Sequence, residues 1–249
     1  MAFDREMFTN KLQQYCIQMQ LADAELSERT GISPERLKAL KENQVDPTGD
    51  EVLILADVFM CDYRFFISNE KLAPFEQTDL LFRKHGGELS ANDRWAIQEF
   101  LYLCECEQFL QDELGVERKP FNFAKQGNYL KGHGENAAQA LRRHLGYQPH
   151  EQPMDIFRDF RTIGCHVFRR RLARDNISGL CLRHPVAGPS LLINFNEDQY
   201  RQRFSAAHEA AHAILDDDQE FVVSFANWEK APLSEVRANT FAARYLMPP

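Results

Sequence analysis

Apolar positions along this chain change their spacing several times, and each change marks a different kind of element. Over residues 5–68, Phe8, Leu12, Ile17, Leu26, Leu37, Leu40, Val52, Leu53, Leu55, Ala56, Val58 and Phe59 fall in short clusters separated by polar turns, which predicts a bundle of short helices. Gly86-Gly87 reads as a hinge. After it, Ser90 or Asn92 caps a long helix that runs to about Gly115. Trp95, Phe100, Leu101, Leu103, Phe109, Leu110 and Leu114 give that helix more apolar surface than a free linker carries, so it packs on the neighbouring domain or on a second copy of the chain. The stretch KPFNFAKQGNYLKGHG contains Gly127, Gly132 and Gly134 but no GK[ST], and reads as a linker, not a phosphate loop.

From Glu135 the pattern shifts. ENAAQALRRHLG is a helix ended by Gly146, and MDIFRDFRTIG is another ended by Gly164. CHVFRRRL, ISGLCLRH and SLLINF then cluster or alternate β-formers between the turn signals Asp175-Asn176 and Ala187-Gly188-Pro189, which predicts a small antiparallel sheet. Two helices close the chain. One is capped near Asn196 and carries FSAAHEAAHAIL, in which Phe204, Ala207, Ala211, Ile214 and Leu215 form a core stripe with the histidines beside it. The other, SEVRANTFAARYLM, is capped by Ser234 and stopped by Pro248-Pro249. The predicted fold class is α+β, with an all-α bundle over residues 1–75, a helical linker region over 76–134 and a mixed domain over 135–249.

Composition narrows the setting. An apolar share of 44% with 27% charged residues is that of a soluble globular protein. No run of eighteen apolar residues exists and MAFDREMFTNKLQQ has no hydrophobic signal core, so neither membrane insertion nor secretion is expected and the cytoplasm is. The six cysteines lack C-x-x-C spacing, which argues for reduced thiols, with Cys104-x-Cys106 read as helix packing. The net charge of −8 divides into −5 over residues 1–75, −4 over 76–125 and +1 over 126–249. An acidic chain needs a local basic patch to hold a polyanion, and Arg169-Arg170-Arg171 with Arg174 is the basic cluster of the C-terminal half, suited to an acidic peptide or, less well, to nucleic acid.

The chemistry concentrates in His208-Glu209-Ala210-Ala211-His212, the pattern H-E-x-x-H. On a helix, positions four apart share a face, so both imidazoles reach one tetrahedral metal, and Glu209 beside it can take a proton from a metal-activated water. Catalytic zinc keeps three protein ligands and one open position. Glu235 follows His212 by 23 residues on the last helix, on one face with Ala238, Asn239 and Ala242, and is the candidate third ligand. A first-turn glutamate favoured by the helix dipole is the competing explanation for it. One of Asp216, Asp217 and Asp218 could bond the free N–H of a ligating imidazole. His85, His133, His144, His150, His166 and His184 have no metal spacing and read as surface or packing residues.

RQRFSAAHEAAHAIL followed by the spaced residues of EVRANTFAARYLMPP closely resembles the ImmA/IrrE family of zinc metallopeptidases, a likeness that covers about residues 135–249. It implies a zincin-like domain in which His208, His212 and Glu235 are the Zn2+ ligands and Glu209 is the catalytic base. Many members read H-E-L-G-H; here Ala210-Ala211 keep the same face open. Members commonly continue past the equivalent of Pro249, which leaves room for a C-terminal part carrying substrate determinants. Upstream, LADAELSERTGISPERLKALKENQVDPTGDEVLILADVF resembles the helix-turn-helix of lambda-repressor-type (XRE-like) regulators. Gly31 allows the turn, Ser33-Pro34 start the second helix, and Arg36, Lys38 and Lys41 are its candidate DNA contacts. Three cations on an acidic module make a thin patch, so docking to a partner repressor competes with DNA binding. The function expected from the resemblance is a cytoplasmic zinc endopeptidase that cleaves a repressor-type regulator and switches on stress or mobile-element genes. The alternative is a non-catalytic DNA- or protein-binding regulator with a structural or sensory zinc. A homodimer is compatible with both.

Overall fold

Side-chain caps set the first helices. Asp4 accepts from the Met7 N–H at 3.0 Å and starts α1 (Arg5–Gln18). Gly31 turns the chain with φ 69° between α2 (Asp23–Thr30) and α3 (Pro34–Lys41), and Ser33 accepts from the Arg36 N–H at 3.3 Å. Thr48 and Glu51 satisfy each other's backbone N–H groups in a capping box at α4 (Gly49–Val58), and α5 (Arg64–Ile67) is one further turn. The computed structural model describes residues 3–68, 81–82, 89–125, 130–173, 177–216, 221–225 and 233–249. The expected hinge at Gly86-Gly87, Gly127, Arg174 and the turn at Asp175-Asn176 lie outside them.

Backbone contacts divide the chain into two compact units, Met1–Tyr102 and Leu103–Pro249, with the boundary inside α6 (Ala91–Glu113). The first unit is helical, and its core is aromatic: Tyr15 meets Phe65 edge-on at 5.1 Å, and Phe59 stacks on Trp95 at 6.3 Å. Ile17 and Leu53, two of the apolar positions in the sequence pattern, are 78% and 54% exposed. On α1 the buried positions Phe8, Leu12, Tyr15 and Met19 step by three or four, and Ile17, two residues past Tyr15, points away from that stripe. Ser90 caps α6, as the sequence suggests, accepting from the Asp93 N–H at 3.2 Å. Phe100 and Leu101 are buried, whereas Phe109, Leu110 and Leu114 are exposed.

The second unit holds a four-stranded sheet in the order β1-β3-β2-β4. β2 (Ile177–His184) and β3 (Gly188–Asn194) form an antiparallel hairpin, and β4 (Phe221–Phe225) runs antiparallel to β2. β1 (His166–Arg170) pairs with β3 in parallel, so the sheet is mixed, not antiparallel throughout, and has one strand more than expected. Strand direction follows from where the connecting chain re-enters the sheet, which the residue pattern of a single strand does not encode.

After α6 the described residues of this unit hold α7 (Leu130–His144), α8 (Ile156–Thr162), α9 (Gln199–Leu215) and α10 (Leu233–Leu246); α9 packs on β2 and β3, α8 on β1, and α10 lies between α7 and α9. Asp198, not Asn196, caps α9, accepting from the Tyr200 and Arg201 N–H groups at 2.9 and 3.0 Å. Ser234 lies inside α10 and is not its cap. Every residue of α9 from Ser205 to Ala213 is buried, because it packs on β2, β3 and α10 at once; the amphipathic stripe expected there is therefore absent, and Phe204 is 37% exposed. Alanines 206, 207, 210, 238 and 242 join Phe160, Phe241 and Tyr245 in the core, and small side chains let α9 and α10 approach. No helix among the described residues is long and apolar enough to cross a membrane.

Gly134 lets α7 rest on α10: a Cβ there would meet the Arg237 carbonyl oxygen at 2.5 Å and the Phe241 nitrogen at 3.1 Å. Gly134→Ala should therefore lower stability by about 1–3 kcal/mol through overpacking, although alanine is the better helix former by about 1 kcal/mol. Chemical denaturation decides the sign, and a midpoint that rises would show that the helices separate freely.

Candidate metal centre

His208 and His212 occupy one face of α9, their ring centroids 4.8 Å apart, and Glu235 reaches them from the first turn of α10. Each ring is oriented by its outer nitrogen. His212 Nδ1–H donates to Asp216 Oδ2 at 2.7 Å, and His208 Nδ1–H donates to Asn239 Oδ1 at 3.0 Å. Holding the proton on Nδ1 leaves both Nε2 lone pairs facing inward. The two Nε2 atoms are 3.1 Å apart, with Glu235 Oε2 at 3.0 Å from His208 and Oε1 at 3.3 Å from His212.

Two lone pairs and a carboxylate converging at such distances repel unless positive charge sits among them. Ligands about 2.0–2.1 Å from a tetrahedral zinc are separated by about 3.3 Å, so this triangle has the size a metal requires. The donor set of two imidazoles and a carboxylate also suits zinc, and His208, His212 and Glu235, all buried, form a group able to hold a metal ion. The electrostatics of the site agree. Burial works against charge on His212, but Asp216 and Glu235 outweigh it and raise its pKa to about 10; burial likewise opposes the Glu235 carboxylate, yet hydrogen bonds from the two histidines lower it to about 2, so that a proton on the Nε2 side fills the place a metal ion would take. Both shifts report a cage that favours a cation at its centre.

The supports run outward. Asp216, 6% exposed, accepts from His212 on one oxygen and from the Arg237 guanidinium on the other, and these contacts outweigh its burial and lower its pKa. Arg237, 7% exposed, stands two residues after Glu235, so α10 supplies a ligand-type carboxylate, the anchor of Asp216 and, in Asn239, the anchor of His208. Asp217 and Asp218 lie outside the described residues. The four-residue step from His212 to Asp216 was a usable signal; nothing in the sequence pointed to Arg237.

Glu209 is fully buried, and neither of its carboxylate oxygens makes a well-formed hydrogen bond among the described residues, the Ser224 hydroxyl being close by but out of good geometry. Desolvation raises its pKa, against the pull of His208, His212 and that hydroxyl. It lies against the bare backbone of Gly179 on β2, where a Cβ would stand 2.6 Å from Oε1 and 2.8 Å from Cγ. Ser224 faces Gly179 across the β2–β4 ladder. A glycine in a strand signals a close approach, and here the object that approaches is this carboxylate.

The other sequence candidates are placed differently. Arg36 grips both Glu51 oxygens at 2.7 and 2.8 Å and the Asp46 carbonyl at 2.8 Å, and Lys41 is paired with Asp23, whereas Lys38 stays exposed, 3.8 Å from Glu42. Of the histidines read as surface or packing residues, His166 and His184 are packing residues, 1% and 2% exposed, with Glu107 at 2.7 Å and Glu105 at 3.3 Å.

A family model described as the IrrE N-terminal-like domain, Peptidase_M78, matches residues 160–249. The match spans all of β1–β4, α9 and α10, with the three metal-cage residues and Glu209, and supports a metallopeptidase-type function; zinc dependence is general in that peptidase family. No curated protein matches the chain, and no solved structure does.

His208→Ala, His212→Ala and Glu235→Ala should each empty the cage of zinc, whereas Arg237→Met and Asn239→Ala should keep the ligands and weaken affinity about 10–100-fold. Competition with a chromogenic chelator measures this, and wild-type affinity in Arg237→Met would remove that residue from the support.

Proposed function

We propose that the chain is a zinc-dependent endopeptidase in which His208, His212 and Glu235 hold the ion and Glu209 is the general base. The observation that carries this is the coupling of a three-ligand cage, one short of tetrahedral, to a buried and unpartnered carboxylate on the residue next to the first ligand. A structural site would be closed by a fourth protein ligand. Zinc, when bound, polarises a carbonyl and makes a coordinated water acidic enough to attack near neutral pH.

The chain's own groups account for the proton. Glu209 accepts it from the attacking water and hands it to the amine that leaves as the C–N bond breaks, ending ionised and ready for the next turnover. A carboxylate whose pKa is raised by desolvation holds that proton better between the two transfers than a solvated one does. Gly179 serves by having no side chain, which leaves the space Glu209 occupies. Asp216, Asn239 and Arg237 act on the two imidazoles, keeping the protons on Nδ1 and the lone pairs on Nε2 directed inward.

For the substrate we infer a cytoplasmic repressor-type regulator whose cleavage turns on stress or mobile-element genes, on the strength of the motif's likeness to ImmA/IrrE peptidases. The helical module over residues 1–75 is then a protein-docking element. That Arg36 and Lys41 are tied to Glu51 and Asp23 favours docking over DNA binding, since each phosphate contact would first have to break an internal pair.

Glu209→Gln should retain zinc and lose cleavage by about 10²–10⁴-fold, the usual worth of a positioned base. Gly179→Ala should do the same by displacing Glu209, with zinc still bound. Hydrolysis of a repressor-type regulator, measured beside zinc content, separates the possibilities: full activity in Glu209→Gln would remove Glu209 as the base, whereas no hydrolysis by the zinc-loaded wild type would sink the peptidase reading and leave a regulator with structural or sensory zinc.

A further inference from the structure

β1 ends in consecutive arginines whose planar groups are held by aromatic rings. The Arg169 guanidinium lies 4.9 Å from the Phe157 ring and 5.6 Å from that of Phe195, and Arg171 lies 6.0 Å from the same Phe195 ring. Phe195 is 45% exposed, and both arginines are exposed. Two like charges thus share one ring, and among the described residues neither forms an ion pair with a carboxylate. The nearby acids are engaged elsewhere: Glu197 accepts from Ser205 at 2.8 Å and stands 3.6 Å from Arg201, and Asp198 caps α9. Ring contacts engage the face of a guanidinium and leave its N–H edge outward, in the fork that matches a carboxylate.

Position adds to this. Arg169 donates to Gln202 Oε1 at 3.3 Å, and Gln202 precedes His208 by six residues on α9, a rise of about 9 Å. Between them the Phe204 ring, 37% exposed, lies 6.4 Å from that of His208. An extended peptide covers such a rise in about three residues.

We infer that Arg169 and Arg171 form an exosite for an acidic segment of the protein substrate, engaging carboxylates about three or four residues from the scissile bond. The word substrate rests on the peptidase reading; the binding itself does not. A nucleic acid fits less well, because a run of phosphates would meet Glu197 and Asp198 and a chain of net charge −8, with two open guanidinium edges to offset them.

The test uses the full chain and two fluorescent peptides of equal length, one with two adjacent glutamates and one with glutamines in their place. Anisotropy at low salt should show the acidic peptide binding about tenfold more tightly, with the difference shrinking at high salt. R169Q/R171Q should abolish the preference. R171Q, which loses only a ring contact at an exposed position, should halve it or more while melting as the wild type does. Equal affinity for both peptides in the wild type, a preference unchanged in R169Q/R171Q, or tighter binding of a single-stranded oligonucleotide would each overturn the exosite. In cleavage assays on peptides sharing one scissile bond, the glutamates should lower KM and leave kcat unchanged. Should neither peptide be cut, the peptidase reading fails on its own, and the anisotropy comparison still decides the exosite.

Discussion

Two imidazole nitrogens held facing each other 3.1 Å apart are the constraint on which the second unit is organised. Left to themselves the rings would rotate away or share a proton. They stay because each outer N–H is bonded to a fixed acceptor, Asp216 on the end of α9 and Asn239 on α10, and because both rings are buried where no water replaces those bonds. The geometry suited to a cation is thus imposed by the outer partners as much as by the histidine spacing.

Burial makes that arrangement costly, and the fold answers with pairing. Asp216 and Glu235 are carboxylates in a low-dielectric interior, each charged because a cationic or hydrogen-bonding partner stands against it; without Arg237, Asp216 would tend to take up a proton and lose its hold on His212. Glu209 is the exception. It is buried with no well-formed hydrogen bond among the described residues, and a polar group left in that condition commonly marks a place where chemistry, and not stability, selected the residue.

Close backbone approach links this polar cluster to the rest of the unit. Gly134 lets α7 press α10 into position, the alanines of α9 and α10 bring the two ligand-bearing helices together, and Gly179 lets α9 settle on β2 with Glu209 between them. Each small residue does a different job, yet together they set the distance between Glu235 and the histidines. On the far side of the sheet order, β1 carries the ring-held arginines, outside this packed centre and open to solvent.

Much of this was legible beforehand, because it depends on short-range periodicity. The four-residue step of H-E-x-x-H, the glutamate in the first turn of the last helix, the capping residues Ser33 and Ser90 and the glycine stops at Gly146 and Gly164 all act within a turn or two of chain. The sequence by itself therefore determined which side chains meet on a helix face, and with them the metal-type donor set. What needed the tertiary structure were relations between distant segments: the parallel pairing of β1 with β3, the added strand β4, the all-round burial of α9, the choice of Asp216, the anchoring by Arg237 and Asn239, and the engagement of Arg36 by Glu51. Those are decided by which surfaces the folded chain brings together, and no local pattern of apolar and polar residues carries that information.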